Sequence, residues 1–221
     1  MVDSLHTDYM PENTFEVFQQ LKSQAFISRF TLVGGTALAI QIKHRLSEDL
    51  DFISDEEEID TNLIKRNISK IFPDYRIIRQ DHNLQLDLLI GSIKVTFFSA
   101  GAVAIPFKVL NYSFTEGKIN IAPAKIIAVL KFSAIAQRNT FRDYYDLYCL
   151  SKYHYSLLEL ISFTKEMVPN LSPVTYTETL VYTNDIEEDD ISAHLSPSED
   201  VTKEQIASFF SQELVKIKEQ I

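Results

Sequence analysis

The sequence predicts an α+β protein in which a sheet-containing lobe is followed by a helical lobe. Segments typical of strands concentrate before Pro123, whereas apolar residues recur at helical spacing through most of the chain after it. The chain has 221 residues, of which 45% are hydrophobic and 24% are charged, as is usual for a folded globular protein. This length allows two small lobes with an adequate core, and we place them at residues 1–122 and 123–221.

The first lobe opens with a predicted amphipathic helix over Glu12–Ser28, in which phenylalanine and leucine recur at roughly helical spacing. A short strand over Phe30–Val33 precedes Gly34-Gly35-Thr36, and Thr36 is predicted to cap a helix over Ala37–Arg45. The remaining elements of this lobe are a strand around Leu50–Ile53, a helix over 61–72, and strands over 75–79, 84–90 and 93–99, the last two joined by a hairpin at Gly91-Ser92.

The second lobe begins at Pro123, because proline is favoured at the first position of a helix. The predicted elements are helices over 123–138, 142–153 and 156–167, a strand over Val174–Tyr182, and a terminal helix over 202–220. We expect the acidic stretch Asp185–Asp190 to be a loop.

The net charge of −10 is concentrated in residues 178–221, which hold 11 acidic and 3 basic side chains. This balance argues against broad electrostatic binding of nucleic acid, although local basic clusters exist. One cluster comprises Lys65, Arg66, Lys70, Arg76 and Arg79. Taken alone, it indicates a solvated surface.

Nothing in the sequence indicates a membrane protein or a disulfide framework. The apolar stretches around Ile93–Ile105 and Ile126–Ala136 are interrupted by polar residues and are too short to span a bilayer. Residues Met1–Pro11 contain no apolar run of signal-peptide length. Cys149 is the single cysteine, which fits a reducing compartment. We therefore expect a cytoplasmic protein that has no membrane partner.

The most informative stretch combines a glycine turn with two carboxylates. Gly34-Gly35-Thr36 separates a predicted strand from a predicted helix, so its backbone and the helix amides suit a phosphate. Asp49 and Asp51 are two residues apart on a predicted strand, so their side chains share one face. Converging carboxylates favour a hard cation such as Mg²⁺. Each motif alone is more often a capped turn or a solvated face, but the combination predicts neighbouring metal and phosphate sites.

A second candidate constellation lies in the helical lobe. Lys131 and Ser133 are the polar residues of the apolar segment Ile126–Ala136, and lysine is almost never buried without a partner. Lys131 therefore either extends outward to solvent or meets an anion such as a triphosphate. Asp143 and Asp146 lie on one face of the next predicted helix, where an ion pair that stabilises the helix is the alternative to a chemical role.

Both constellations resemble the AbiEii/AbiGii toxin family of nucleotidyltransferases, a branch of the DNA polymerase β-type superfamily that includes the MenT toxins. The resemblance is carried by Gly34-Gly35-Thr36-Ala37-Leu38-Ala39-Ile40, by His44-Arg45-Leu46-Ser47-Glu48-Asp49-Leu50-Asp51-Phe52, and by Lys131 followed by Arg142-Asp143-Tyr144-Tyr145-Asp146-Leu147. It covers about residues 30–150. It implies a nucleotidyltransferase-like mixed sheet in the N-terminal lobe.

The same resemblance implies roles for individual residues. Asp49 and Asp51 would hold Mg²⁺, and the implied catalytic residues are Asp49, Asp51, Lys131, Asp143 and Asp146. The implied nucleotide-binding residues are Gly34, Gly35, Thr36, Arg45, Ser47 and Lys131. Within this set Arg45 and Ser47 would support the acidic loop. Asp143 or Asp146 would be the later catalytic acid, and the spacing from Lys131 favours Asp146.

One position departs from the pattern of the superfamily. Polymerase β-type enzymes usually place a third carboxylate on a neighbouring strand, where this sequence has Thr96. Asp87, on the adjacent predicted strand, could substitute for it. We expect instead that the Asp87 side chain faces solvent.

Together with these features, the resemblance implies a Mg²⁺-dependent enzyme that transfers an NMP from an NTP to an acceptor hydroxyl and releases pyrophosphate. The family resemblance implies the toxin of a toxin–antitoxin or abortive-infection system, with tRNA as the acceptor and a cognate antitoxin protein as a partner. The alternatives are a small-molecule or protein hydroxyl as the acceptor, and a catalytically silent module that binds a nucleotide or a partner.

Overall fold

A seven-stranded sheet organises the first part of the chain in the computed structural model, which describes residues 5–182, 186 and 195–220. The chain divides into two compact units, Met1–Pro123 and Ala124–Ile221. The sequence-based boundary lies one residue earlier than this division. The first unit contains the sheet, and the regular elements described in the second unit are helices.

The strands of the sheet follow a mixed pattern of pairing. In chain order they are β1 (Thr31–Val33), β2 (Leu50–Ser54), β3 (Arg76–Asp81), β4 (Gln85–Ile90), β5 (Ile93–Ser99), β6 (Phe114–Glu116) and β7 (Ile119–Ile121). Their order across the sheet is β3-β4-β5-β2-β1-β7-β6. β2 runs parallel to β5 and antiparallel to β1, which itself runs parallel to β7. The predicted α+β class with a mixed sheet is confirmed.

One face of the central strands forms the core of the first unit. Side chains at alternate positions are buried there: Leu50, Phe52, Leu86, Leu88, Val95 and Phe97. Phe52 and Phe97 are register partners on neighbouring strands, and their rings stack at 5.3 Å. The alternation places the residues between them, including Asp51, Asp87 and Thr96, on the opposite face.

The first unit also contains α1 (Glu12–Lys22), α2 (Gly34–Ile42), α3 (Thr61–Ile71) and the short α4 (Ala100–Val103). The predicted first helix is therefore too long, because a separate 3₁₀ turn occupies Ala25–Arg29. The hairpin at Gly91-Ser92 is confirmed, and Gly91 supplies its positive φ of 61°. Strands β6 and β7 were not anticipated, since each has only three residues.

Helix α2 differs from its prediction at both ends. It begins at Gly34, with Val33 as its N-cap, and it ends at Ile42, where Lys43 adopts a left-handed conformation. The prediction that Thr36 caps this helix is wrong. The Thr36 hydroxyl instead donates to the backbone carbonyl of Asp49, outside the helix.

The described residues of the second unit form five helices, of which four were predicted as helices close to these bounds. They are α5 (Ala124–Ile135), α6 (Phe141–Tyr153), α7 (Leu157–Met167), α8 (Pro173–Val181) and α9 (Lys203–Gln220). Its largest buried side chains are aromatic: Phe132, Tyr144, Tyr145, Tyr176 and Phe210. The single cysteine, Cys149, is fully buried in α6 and is part of this core.

The predicted strand over Val174–Tyr182 is wrong, because this segment forms α8. Its valines and threonines favour a strand locally. Tyr176 and Leu180, four residues apart, are nevertheless both buried on one helical face, and the Tyr176 ring lies 5.1 Å from that of Phe132. Pro173 occupies the first turn, where a helix tolerates proline.

The acidic stretch 185–190 lies outside the described residues except for Ile186, so its prediction as a loop stays a prediction. Across the described ranges of the chain, no helix combines the length and the apolar character needed to cross a bilayer.

Candidate active site

The first residue of α2 lies against one carboxylate of the acidic pair. Val33, which precedes it, is the register partner of Asp51 on β2. Gly34 has a φ of +72°, and a Cβ atom added there would lie 2.6 Å from Asp51 Oδ2. Only glycine satisfies both the left-handed backbone and this close approach. The start of the helix and the Asp51 carboxylate are therefore in direct contact.

Hydrogen bonds connect the loop between α2 and β2 to the N-terminal turn of α2. The Thr36 hydroxyl lies 2.9 Å from Ser47 Oγ and also donates to the Asp49 carbonyl. A Cβ atom on Gly35 would lie 2.5 Å from Arg45 Nη2 and 2.9 Å from Ser47 Oγ. Thr36, Arg45 and Ser47 are buried. These three side chains therefore hold the glycine turn and the acidic loop in a fixed relation.

The atoms left at the surface suit a metal ion and a phosphate. Gly34, Gly35, Asp49 and Asp51 are all half-exposed, and no side chain caps the N-terminus of α2. The N-terminal amides and the helix dipole favour an anion, whereas the two carboxylates supply hard oxygen ligands of the kind that Mg²⁺ prefers. The structure thus brings together the predicted glycines, Thr36, Arg45, Ser47, Asp49 and Asp51.

Thr96 occupies the position next to Asp51 on the neighbouring strand. It is the register partner of Asp51 on β2 and of Asp87 on β4. Its buried hydroxyl has no hydrogen-bond partner among the residues that the structure describes. In the same part of the chain, no group of three or more His, Cys, Asp or Glu side chains is arranged to hold a metal. Within the described ranges, no third carboxylate therefore joins Asp49 and Asp51 in a metal-binding group.

Asp87 is not the solvent-facing residue that we expected, because it is only 5% exposed. Its carboxylate accepts a hydrogen bond of 2.8 Å from Gln85 and lies 3.6 Å from Lys94 Nζ. Two strand spacings, about 10 Å, separate it from Asp51. The strand pattern identifies its face, but only the order of the strands shows its distance from the acidic pair.

The second constellation is a buried ion cluster between α5 and α6. Lys131 is 7% exposed, and its Nζ lies 2.5 Å from Asp143 Oδ1 and 2.7 Å from Asp146 Oδ2. Both aspartates are buried. Of the two alternatives for Lys131, the structure therefore shows contact with anions, and these anions are carboxylates of its own unit.

Arg138, an exposed residue, also contacts this buried cluster. It was not predicted from the sequence as part of the cluster. Its Nε donates to Asp143 Oδ2 at 2.8 Å, although the side chain is 63% exposed. Burial opposes ionisation of Asp143, but Lys131 and Arg138 outweigh it and hold the pKa of this carboxyl below its ordinary value. The Asp143 carboxylate is therefore ionised at neutral pH.

Comparison with known proteins finds relatives over most of the chain. The model of the nucleotidyl transferase AbiEii toxin family, of type IV toxin–antitoxin systems, matches residues 17–217. An uncharacterized protein of Aquifex aeolicus is 32% identical over 199 residues, which cover 88% of this chain and 94% of that protein.

Solved structures with the same fold also cover nearly the whole chain. JHP933 from Helicobacter pylori has a TM-score of 0.54 and 19% identity, and the match covers 96% of each chain. MenT4, a nucleotidyltransferase toxin of Mycobacterium tuberculosis H37Rv, has a TM-score of 0.51 and 14% identity, covering 91% of this chain and 86% of its own. These two structural similarities show the fold. Membership of the family is shown by the family model, which matches residues 17–217 and so extends far beyond the glycine turn and the acidic pair. The chain is a nucleotidyltransferase and belongs to the AbiEii toxin family of type IV toxin–antitoxin systems.

Proposed function

We propose that this chain transfers an NMP from an NTP to a hydroxyl of tRNA, with release of pyrophosphate. The observation that carries the proposal is the direct contact between the N-terminus of α2 and the Asp51 carboxylate. This contact supports the proposal because a helix N-terminus favours phosphate groups and neighbouring carboxylates favour a divalent cation. We also propose that a cognate antitoxin binds this chain, in keeping with its family.

In this proposal Asp49 and Asp51 are the residues that would hold Mg²⁺ beside the α-phosphate. When bound, the ion would supply Lewis-acid stabilisation of the phosphate charge that develops during transfer. The backbone N–H groups of Gly34 and Gly35 bind the phosphates of the nucleotide. Thr36, Arg45 and Ser47 are buried beneath the turn, so they act by holding these groups in position.

We propose that Lys131 neutralises phosphate charge and that the two aspartates beside it differ in role. Asp143 is shared between Lys131 and Arg138, which suits a residue that positions the lysine. Asp146 is then the candidate to assist or orient the acceptor hydroxyl. Both carboxylates contact the same Nζ atom, which supports assigning the two aspartates and Lys131 to one site.

The test is incubation of the purified protein with Mg²⁺, each α-labelled NTP in turn, and total bacterial tRNA. We expect label in the tRNA, and we expect Asp49→Asn/Asp51→Asn to lower its rate of incorporation by at least about a hundredfold. The matched control is Glu16→Gln/Asp74→Asn, which makes the same chemical change at two exposed positions of the first unit.

The other outcomes separate the alternatives. Label on a small molecule or on protein, but not on tRNA, would assign a different acceptor hydroxyl to the same site. Binding of NTP without turnover on any acceptor would overturn the proposal and identify a silent module. Equal rates in the acidic-pair variant and its control would remove Asp49 and Asp51 from the reaction.

A further inference from the structure

Two threonine hydroxyls bond to the backbone on either side of the Asp49 α-carbon. Thr14, near the start of α1, donates to the Glu48 carbonyl at 2.8 Å, across 34 positions of the sequence. Thr36 of α2 donates to the carbonyl of Asp49 itself. Both threonines are buried, and Thr14 is 0% exposed. The Asp49 α-carbon therefore lies between two peptide groups whose oxygens each accept from a buried hydroxyl.

These two hydrogen bonds restrain the backbone conformation of Asp49. Because a peptide group is planar, a bond to its oxygen also restrains its nitrogen and the two flanking α-carbons. The plane held by Thr14 contains the Glu48 carbonyl and the Asp49 nitrogen, and the plane held by Thr36 contains the Asp49 carbonyl. Rotation of the two planes about the Asp49 α-carbon sets its φ and ψ. The two hydroxyls together therefore fix the direction in which the Asp49 carboxylate projects.

The chain before α1 contacts the same loop and the helix beside it. The Ser47 N–H donates to the Tyr9 carbonyl at 3.1 Å. The His6 N–H donates to the Ile40 carbonyl of α2 at 2.8 Å. Residues 6–14 therefore connect the start of α1 both to α2 and to the loop that precedes the acidic pair.

The bond from Thr14 also differs from those that hydroxyls within helices usually form. Such a hydroxyl commonly bonds to the carbonyl three or four residues earlier. Ser133 bonds in this way to the Val129 carbonyl in α5, and Thr177 to the Pro173 carbonyl in α8. Thr14 donates instead to a loop outside its own helix. Its hydroxyl therefore restrains the acidic loop rather than α1.

From this geometry we propose that Thr14 is a positioning residue for the metal-binding carboxylate of Asp49. The inference rests on the proposed function of Asp49 and Asp51 and adds a residue that acts on Asp49 through the Glu48 peptide group. Thr14 precedes the stretch that the family model matches, which begins at residue 17. Loss of its hydroxyl removes the donor from the Glu48 carbonyl, so this peptide plane can turn and carry the carboxylate away from the ion.

The test compares substitutions that separate the hydroxyl of Thr14 from its shape. Thr14→Val keeps the branched shape and removes the hydroxyl, whereas Thr14→Ser keeps the hydroxyl and removes a methyl group. The probe is Mn²⁺ as a stand-in for Mg²⁺, and electron paramagnetic resonance of the free ion gives its Kd. We expect Thr14→Val to raise this Kd at least about threefold and Thr14→Ser to change it less than about twofold.

Steady-state transfer of labelled NMP gives a second measurement. We expect Thr14→Val to lower kcat at least about tenfold, because a small displacement of an aligning group is costly to the rate. The KM for NTP should change less than about twofold, since the N-terminus of α2 is unaltered. Thr14→Ser should restore most of kcat. Thr14→Ala also lacks the hydroxyl and serves if valine disturbs packing, and its Kd for Mn²⁺ should rise as well.

The matched control is Val17→Ala, which alters another buried residue of α1. We expect it to lower the thermal midpoint at least as much as Thr14→Val, because it removes buried side-chain volume. Its Kd for Mn²⁺ should nevertheless equal that of the unaltered protein. An equal rise of this Kd in Val17→Ala, an equal rise in Thr14→Ser and Thr14→Val, or no rise in Thr14→Val would overturn the inference.

Failure of this inference and failure of the proposed function give different results. Transfer that is lost in Asp49→Asn/Asp51→Asn but unaltered in Thr14→Val would reject the positioning role and retain the reaction. A Kd for Mn²⁺ that depends on the Thr14 hydroxyl, without transfer to any acceptor, would retain the positioning role and reject the reaction. Unaltered Mn²⁺ binding in Asp49→Asn/Asp51→Asn would overturn the inference together with the metal assignment.

Discussion

At the scale of single residues, glycines show how backbone conformation and close contact constrain this site. Gly34 has a left-handed φ and lies against Asp51 Oδ2. Gly91, in the hairpin between β4 and β5, also has a left-handed φ of 61°, but a Cβ atom there would meet no atom within 4 Å. The two positions therefore share a left-handed backbone conformation and differ in contact with the candidate site.

This difference predicts distinct effects of alanine. Left-handed backbone costs an alanine about 1–2 kcal/mol, so both Gly34→Ala and Gly91→Ala should destabilise the fold by about this amount. Gly34→Ala should also displace the Asp51 carboxylate and lower the rate of NMP transfer at least about tenfold. Thermal unfolding and label incorporation measure the two effects. A Gly34→Ala protein with the rate of Gly91→Ala would contradict the proposed role of this contact.

At the scale of elements, the buried ion cluster links α5 to α6. Lys131 comes from the first helix and both aspartates come from the second, and all three side chains are buried. Removal of one partner from a buried ion pair leaves an uncompensated charge in a medium of low polarity. The cluster is therefore a structural link as well as a candidate part of the chemistry.

We expect Lys131→Met to destabilise the protein by about 3–5 kcal/mol, because Asp143 and Asp146 would lose their shared cation. Lys125 of the same helix is the matched control, since it forms a partly exposed pair with Glu159 at 2.7 Å. Lys125→Met should cost about 1 kcal/mol or less. Urea denaturation, monitored by circular dichroism, measures the free energy of unfolding of both variants. A similar loss of unfolding free energy in the two variants would show that the buried pair contributes no more to stability than the partly exposed pair.

At the scale of the whole molecule, the candidate residues are distributed over both units. Asp49, Asp51 and the glycine turn belong to the first unit, and the Lys131 cluster belongs to the second. In the first unit, the candidate binding residues Asp49 and Asp51 are half-exposed. Binding of a nucleotide with Mg²⁺ should therefore stabilise the folded chain through the acidic pair.

We expect the thermal midpoint of the full chain to rise by about 5 °C or more with Mg²⁺ and a saturating NTP, and to rise less with NTP alone. A ligand at a hundred times its Kd contributes about 2.7 kcal/mol, and 1 kcal/mol shifts the midpoint of a chain of this size by about 2–4 °C. Asp49→Asn/Asp51→Asn should abolish the Mg²⁺-dependent part of the rise in the thermal midpoint. Glu16→Gln/Asp74→Asn should preserve it. The same Mg²⁺-dependent rise in both variants would place the ion elsewhere.

Much of the fold could be predicted because its signals are local. The hairpin of β4 and β5 follows from alternating apolar residues and Gly91. The segment that forms α8 was misassigned because β-branched residues favour a strand, whereas burial of Tyr176 and Leu180 selects a helix. Thr36 was misassigned as a cap because its real partners, Ser47 and the Asp49 carbonyl, are distant in sequence.

The sequence by itself determined the α+β class, the glycine turn, the spacing of Asp49 and Asp51, and the family resemblance, which the family model confirms. These features depend on residue types within short stretches, where backbone periodicity and steric limits act directly. Only the tertiary structure decided that Asp87 is buried, that Lys131 meets two carboxylates, and that Thr14 donates to the Glu48 carbonyl. Each of these depends on strand order or helix packing, which are set by burial and pairing between distant segments.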